Sequence, residues 1–205
     1  MSTAIRVARP FAPWAEIVPD MGPVTVDVLL TLLDNGYRYE VVDGALVRVA
    51  GSGYEATTIG LTIAAELRAY ARPRRLGVAT PADGVYEFQP AETGLLPNVG
   101  FIEASKVPLI VDRQKPMPFA PDLAVEVASP DQVAEAMAAK ARMYLGGGTR
   151  LVWVVWPARL HVDVWRPALR SAPVATLGIG DRLDGEDVVP GFLVPVADIF
   201  ADSLG

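Results

Sequence analysis

Two apolar runs bracket a helical pattern in the second half of the chain, and they restrict what it can become. Leu123-Ala124-Val125-Glu126-Val127 and Leu151-Val152-Trp153-Val154-Val155 are almost wholly apolar. Strands of that kind lie inside a sheet whose two faces are both covered. Between them, Ser129-Pro130-Asp131 opens a helix predicted to reach Leu145, and Gly146-Gly147-Gly148 stops it. The class that follows is α/β: a central mixed β-sheet flanked by helices.

Earlier segments fit the same class. Thr25 is placed to cap a short helix through Leu33, with Gly36 ending it. Tyr37–Val42 alternates as a strand, Asp43-Gly44 is a two-residue hairpin signal, and Ala45–Val49 returns. Ile59, Ile63, Leu67 and Tyr70 lie at helical spacing within a helix from Tyr54 to Ala71, which Pro73 ends. Short strands are expected near 76–80, 85–88 and 99–102, then a Pro-punctuated loop over 103–120. Leu160–Trp165 alternates, and the part after it is β-rich, with a last turn at Val196–Phe200. Residues 1–22 are Pro-rich and aperiodic, and read as an arm before a single domain over 23–205.

Composition narrows the chemistry. There is no cysteine and one histidine, His161. Thiolate sites, histidine-rich zinc sites and Ser-His-Asp catalysis are therefore poorly supplied, and any chemistry falls to carboxylates, lysine and a hard cation. A net charge of −6 argues against coating nucleic acid indiscriminately, although Arg72, Arg74 and Arg75 form a local basic patch that DNA could meet. No apolar stretch reaches membrane-spanning length, and Met1 to Met21 lacks a continuous apolar segment, so a cytoplasmic location is expected.

Three charged residues stand in apolar surroundings. Glu126 shares a strand face with Ala124 and Ala128, where a bare carboxylate is costly unless paired or metal-bound; the alternative is a solvent-facing edge. Asp122 lies four positions earlier at the start of that strand. Glu40 is the parallel case on the first hairpin, where one polar face would be equally ordinary. Lys140 falls on one helical stripe with Val133, Met137 and Tyr144, facing inward; the alternative is a stem packed on the core with its ammonium in water. Asn98, after Pro97, reads by itself as a strand-entry residue. Two acids with a nearby lysine have a defined use. Carboxylates hold Mg²⁺ or Mn²⁺, the ion polarises a phosphodiester and acidifies bound water, and an ammonium offsets charge on phosphate.

The series Tyr37-Arg38-Tyr39-Glu40-Val41-Val42-Asp43-Gly44, Pro97-Asn98-Val99, Pro121 to Pro130, Lys140 with Tyr144, and Val152-Trp153-Val154-Val155 resembles the Uma-type restriction-endonuclease family of the PD-(D/E)xK nuclease superfamily. The likeness runs from about 25 to about 200. It implies a restriction-endonuclease-like fold and a metal-dependent DNA endonuclease with Glu40, Glu126 and Lys140 as catalytic residues. Glu126 and Asn98 would hold the metal, Asp122 and Tyr144 are secondary candidates, and Lys140 would be a lysine displaced from the strand, where Ala128 now stands, to the following helix. Nucleases of this superfamily that cut duplex DNA often act as homodimers, and the Trp153, Trp156 and Trp165 group is a candidate dimer face if it is not core. Two positions depart from the family: Asn98 replaces the usual aspartate, and Tyr54 and Glu55 stand where a histidine is common. The second hypothesis is therefore a nuclease-fold protein that binds nucleic acid or a protein partner without cutting.

Overall fold

The computed structural model describes residues 12–19, 21–32, 36–88 and 92–203. In chain order the elements are β1 (Ala15–Ile17), a 3-10 turn (Val26–Leu30), β2 (Arg38–Val42), β3 (Ala45–Val49) and α1 (Tyr54–Arg74). Four strands follow: β4 (Gly77–Pro81), β5 (Tyr86–Phe88), β6 (Thr93–Leu95) and β7 (Val99–Glu103). Then come β8 (Leu123–Val127), α2 (Ala134–Gly146), β9 (Leu151–Trp156) and β10 (His161–Trp165). The chain closes with β11 (Ala175–Gly178), β12 (Arg182–Asp184), β13 (Leu193–Pro195) and α3 (Val196–Ile199).

The central sheet is mixed and has the order β11-β10-β9-β8-β7-β4. Its one parallel pair is β8 with β9, joined across α2 as a parallel connection requires. The period of two along β8 sorts its side chains. Leu123, Val125 and Val127 enter one core with Ile59, Ile63 and Leu67 of α1, while Ala124 and Ala128 enter another with Met137 and Tyr144 of α2. Every residue of β9 is buried, as its composition predicts. Trp153, Trp156 and Trp165 are all core residues, with 0 to 6% exposure, so they form no dimer face.

A second sheet, entirely antiparallel, has the order β1-β3-β2-β6-β5. The hairpin forms as its sequence predicts. Asp43 and Gly44 both adopt positive φ, at 47° and 77°, the conformation a two-residue primed turn demands. Alternation splits β2: Val41 packs with Val26 and Leu46 on one side, while Val42 joins the α2 core with Val47, Phe88 and Leu95. Helix α2 is thus packed between the two sheets.

Several local expectations shift. Helix α2 begins at Ala134 instead of near Asp131, because the Gln132 amide bonds the Ser129 carbonyl and the Ser129 N–H is taken by the Gln132 side chain, making a turn. Val133 is its extended N-cap and is exposed, so the inward stripe is Met137, Lys140 and Tyr144 without it. Pro73 does not stop α1, which runs on to Arg74. Arg75 ends it in the left-handed conformation, its amide bonding back to Ala71 and Arg72. The first predicted helix is a 3-10 turn over Val26–Leu30, and its predicted end at 33–36 falls largely outside the described residues. Within residues 1–22, read as an arm, Ala15–Ile17 pair with Val47–Val49 as an edge strand, and 1–11 lie outside the described residues.

Candidate active site

Three elements bring charge to one point. Strand β2 delivers Glu40 on the face toward α2, β8 delivers Glu126 on its α2 face, and α2 lies between them carrying Lys140 and, one turn on, Tyr144. The Lys140 ammonium is 3.0 Å from Oε1 of Glu40 and 3.0 Å from Oε1 of Glu126. All three are buried, with exposures of 0, 5 and 6% for Glu40, Glu126 and Lys140. The Tyr144 hydroxyl donates to Glu126 Oε1 at 2.7 Å. Glu40 is held on both oxygens: Trp14 Nε1 donates to Oε2 at 2.9 Å, and the Leu96 amide donates to Oε1 at 3.1 Å.

Burial is the first cause of every pKa shift here. It pushes the Glu126 carboxyl above the usual carboxylate range, with Glu40 adding to the rise and the Lys140 ammonium opposing it. Burial also disfavours charge on Lys140, but Glu126 and Glu40 outweigh it, so the lysine holds its proton more tightly than usual. The Tyr144 hydroxyl is raised well above its ordinary value by burial and then by the two carboxylates, which keeps it a donor.

Glu40, Glu126, Lys140 and Trp14 line a cleft of ≈ 40 Å³ with Arg38, Ser52, Asn98 and Gln132. That leaves room for about three water-sized groups. Asn98 enters from the start of β7 and ties the walls together. Its Oδ1 accepts from the Val127 amide at 2.8 Å, and its Nδ2 donates to Ser52 Oγ at 3.4 Å. Hard oxygen is the only donor type on offer. Glu126 Oε2 has no hydrogen bond among the described residues, and Asn98 Oδ1 keeps a second lone pair, a set suited to one hard cation of the Mg²⁺ or Mn²⁺ kind. Among the described residues no three or more His, Cys, Asp or Glu cluster to hold a metal, so such an ion would rest on fewer acids than usual.

Of the residues singled out from sequence, Glu40, Glu126, Lys140 and Tyr144 meet, and Asn98 lines the same cleft. Asp122 does not join them. It stands at the other end of β8, about 13 Å of strand away, where Lys106 pairs with it at 2.8 Å and the Glu103 amide donates to it at 2.9 Å. Arg72, Arg74 and Arg75 are exposed at the C-terminal end of α1, a helix about 30 Å long whose other end adjoins the cleft at Ser52. Tyr54 and Glu55 occupy the first turn of that helix and do not line the cleft. His161 lies on β10 beside Asp163, also apart from it. Trp14, Ser52 and Arg38 also line the cleft without having stood out in the sequence as site residues. Trp14 had no local signal, lying in an aperiodic segment; Arg38 had one, since it sits two residues before Glu40 and so shares its strand face.

A mixed sheet flanked by helices, with two acids and a lysine converging beside it, defines a protein of the nuclease fold. The family model described as "Uma2: Putative restriction endonuclease" matches residues 26–197, and the chain belongs to that family. In structure it is similar to a protein from Anabaena variabilis ATCC 29413 described as a "putative nuclease belonging to DUF820". The TM-score is 0.70 at 19% identity, over 87% of this chain and 98% of the other, a likeness of fold. No curated protein matches.

Proposed function

We propose that this chain is a metal-assisted endonuclease that hydrolyses phosphodiester bonds in DNA at the Glu40–Glu126–Lys140 cleft. One observation carries the reading: three ionisable groups from three separate elements meet in the interior around a polar cleft. Stability does not call for them, since replacing buried ion pairs by apolar side chains is often neutral or stabilising. Membership of a nuclease family supports reading them as chemistry.

Glu126, through the Oε2 that has no hydrogen bond among the described residues, and Asn98 would hold the cation. When bound, it supplies polarisation of the phosphodiester and a more acidic water. The chain's own residues do the rest. Tyr144 and Lys140 fix Glu126 through Oε1, leaving Oε2 for the ion. Trp14 and the Leu96 amide fix Glu40, so that Lys140 is held from two sides and stays charged to offset negative charge developing on phosphate. Arg72, Arg74 and Arg75 would meet the DNA backbone about 30 Å from the cleft. Cutting both strands calls for two sites, so a homodimer is part of this reading, and analytical sedimentation of the full chain tests it.

A second reading is a nuclease-fold protein that binds nucleic acid or a protein partner without cutting. It is favoured by the neutral amide at Asn98, whose oxygen is already engaged by the Val127 amide. Plasmid cleavage with Mg²⁺ and with Mn²⁺ separates the two. The endonuclease reading expects nicking by the native chain and faster nicking by Asn98→Asp. A native chain inert with both ions, with cleavage appearing only in Asn98→Asp, establishes the second reading instead.

A further inference from the structure

We infer that Arg38 is the residue that takes the phosphate group of the bound strand, at the mouth of the cleft. The inference rests on the phosphodiester reading of that cleft. Arg38 lies two positions before Glu40 on β2, hence on the same face, and lines the cleft with it. Arg38 and Lys140 are the two cations among the cleft's lining residues. Lys140 is buried and committed to both carboxylates. Without a bound metal, two glutamates against one lysine leave the walls with negative charge in excess, which repels phosphate unless a further cation faces it. Arg38 supplies that cation.

Its present partners are weak or replaceable. Its Nη1 donates to Ser52 Oγ at 3.3 Å, Nη2 pairs with Asp83 at 2.8 Å, and its buried Nε has no hydrogen-bond partner among the described residues. The Asp83 side chain is 77% exposed, so water screens that pair and a phosphate can take its place. A guanidinium suits the exchange, because its planar fork matches phosphate oxygens two at a time. The position suits it as well. Arg38 also lines a wider groove of ≈ 640 Å³ that adjoins the cleft and carries Tyr37, Arg48 and Glu16, with Arg48 paired to Glu16 and its guanidinium 4.5 Å from the Tyr37 ring centroid, and Arg38 is the cation of that groove that also lines the acids' cleft. Arg38 therefore stands where a strand lying in the groove would turn its phosphate toward the acids.

Anisotropy of a short fluorescein-labelled DNA duplex in EDTA, across a salt series, tests this without cleavage. Arg38→Gln is expected to weaken binding about tenfold, the loss of a charge-assisted hydrogen bond. It should also lower the slope of log affinity against log salt by about 0.9, one phosphate contact. Asp83→Asn, an exposed change at a positive φ that asparagine tolerates, should tighten binding by freeing the guanidinium. Unchanged affinity and slope in Arg38→Gln overturn the inference, as does weaker binding by Asp83→Asn. A native chain that cuts DNA while Arg38→Gln binds normally removes Arg38's role and leaves the endonuclease reading standing. Loss of binding in Arg38→Gln, beside a native chain that never cuts, supports Arg38 and removes the hydrolytic reading. A native chain that binds no DNA overturns Arg38's role.

Discussion

Lys140 is the residue on which the site's energetics turn. Its ammonium has left water, and burial alone would strip its charge; the two glutamates restore it. Removing one member of a buried ion pair costs about 3–5 kcal/mol, because the remaining charges are left uncompensated. Lys140→Ala is therefore expected to lose about that much stability in urea unfolding, and Lys140→Met combined with Glu40→Gln and Glu126→Gln to recover most of it. A Lys140→Ala variant as stable as the native chain contradicts the buried triad. Glu126 adds a pH signature. Its carboxyl is raised in the folded state from an ordinary value of 4.5, so the native chain holds that proton where the unfolded chain has released it. The sign is then set: Glu126's contribution to stability is present below pH 4.5 and declines as pH rises through the folded value. Unfolding free energy measured from acid to neutral pH should decline less in Glu126→Gln than in the native chain. A steeper decline in the variant would reverse the assignment.

Elements were legible in proportion to their length and periodicity. Strands β8 and β9 could be read directly, because β9 is six consecutive apolar residues and β8 is apolar at every position but Glu126, whose parity followed from the pleat. The hairpin was legible from Asp43-Gly44. Strands β1 and β6 were not, since their pairing is decided by partners distant in sequence. Nor did anything local mark the division into two sheets around α2. Glycines now test how closely those elements pack. A Cβ on Gly60 of α1 would meet Asn98 at 3.7 Å, an ordinary contact, so Gly60→Ala should raise stability by about 0.5–1 kcal/mol through helix propensity. A Cβ on Gly100 of β7 would lie 2.2 Å from the Tyr86 hydroxyl, inside the contact by which the two sheets meet. Gly100→Ala should cost about 1–3 kcal/mol as overpacking. Equal thermal midpoints for the two variants would contradict this placing of α1 and β7.

At the scale of the molecule, one apolar core joins both sheets: Phe88 and Leu95 from one, Val152 and Val154 from the other, with Met137 and Tyr144 of α2 between them. The Glu40–Lys140–Glu126 contacts span that junction, which explains why no single segment disclosed the site. The acids were legible one at a time, as charges out of place in apolar strands. Their meeting depended on the fold, and Trp14 and Arg38 entered only with it. Because the sheets share a core, tryptophan fluorescence and far-UV circular dichroism should report one coincident unfolding transition. Trp14→Phe, which strips a hydrogen bond from the buried Glu40 carboxylate, should lower its midpoint by the equivalent of about 1.5–3 kcal/mol. The proposal to test first is hydrolysis of DNA at this junction. Its most direct test is the nicking of supercoiled plasmid by the native chain with Mn²⁺, beside Glu126→Gln shown by circular dichroism to be folded. Nicking by the native chain and a loss of at least about a hundredfold in the variant are expected; equal nicking by both, or none by the native chain, would rule out hydrolysis at this site.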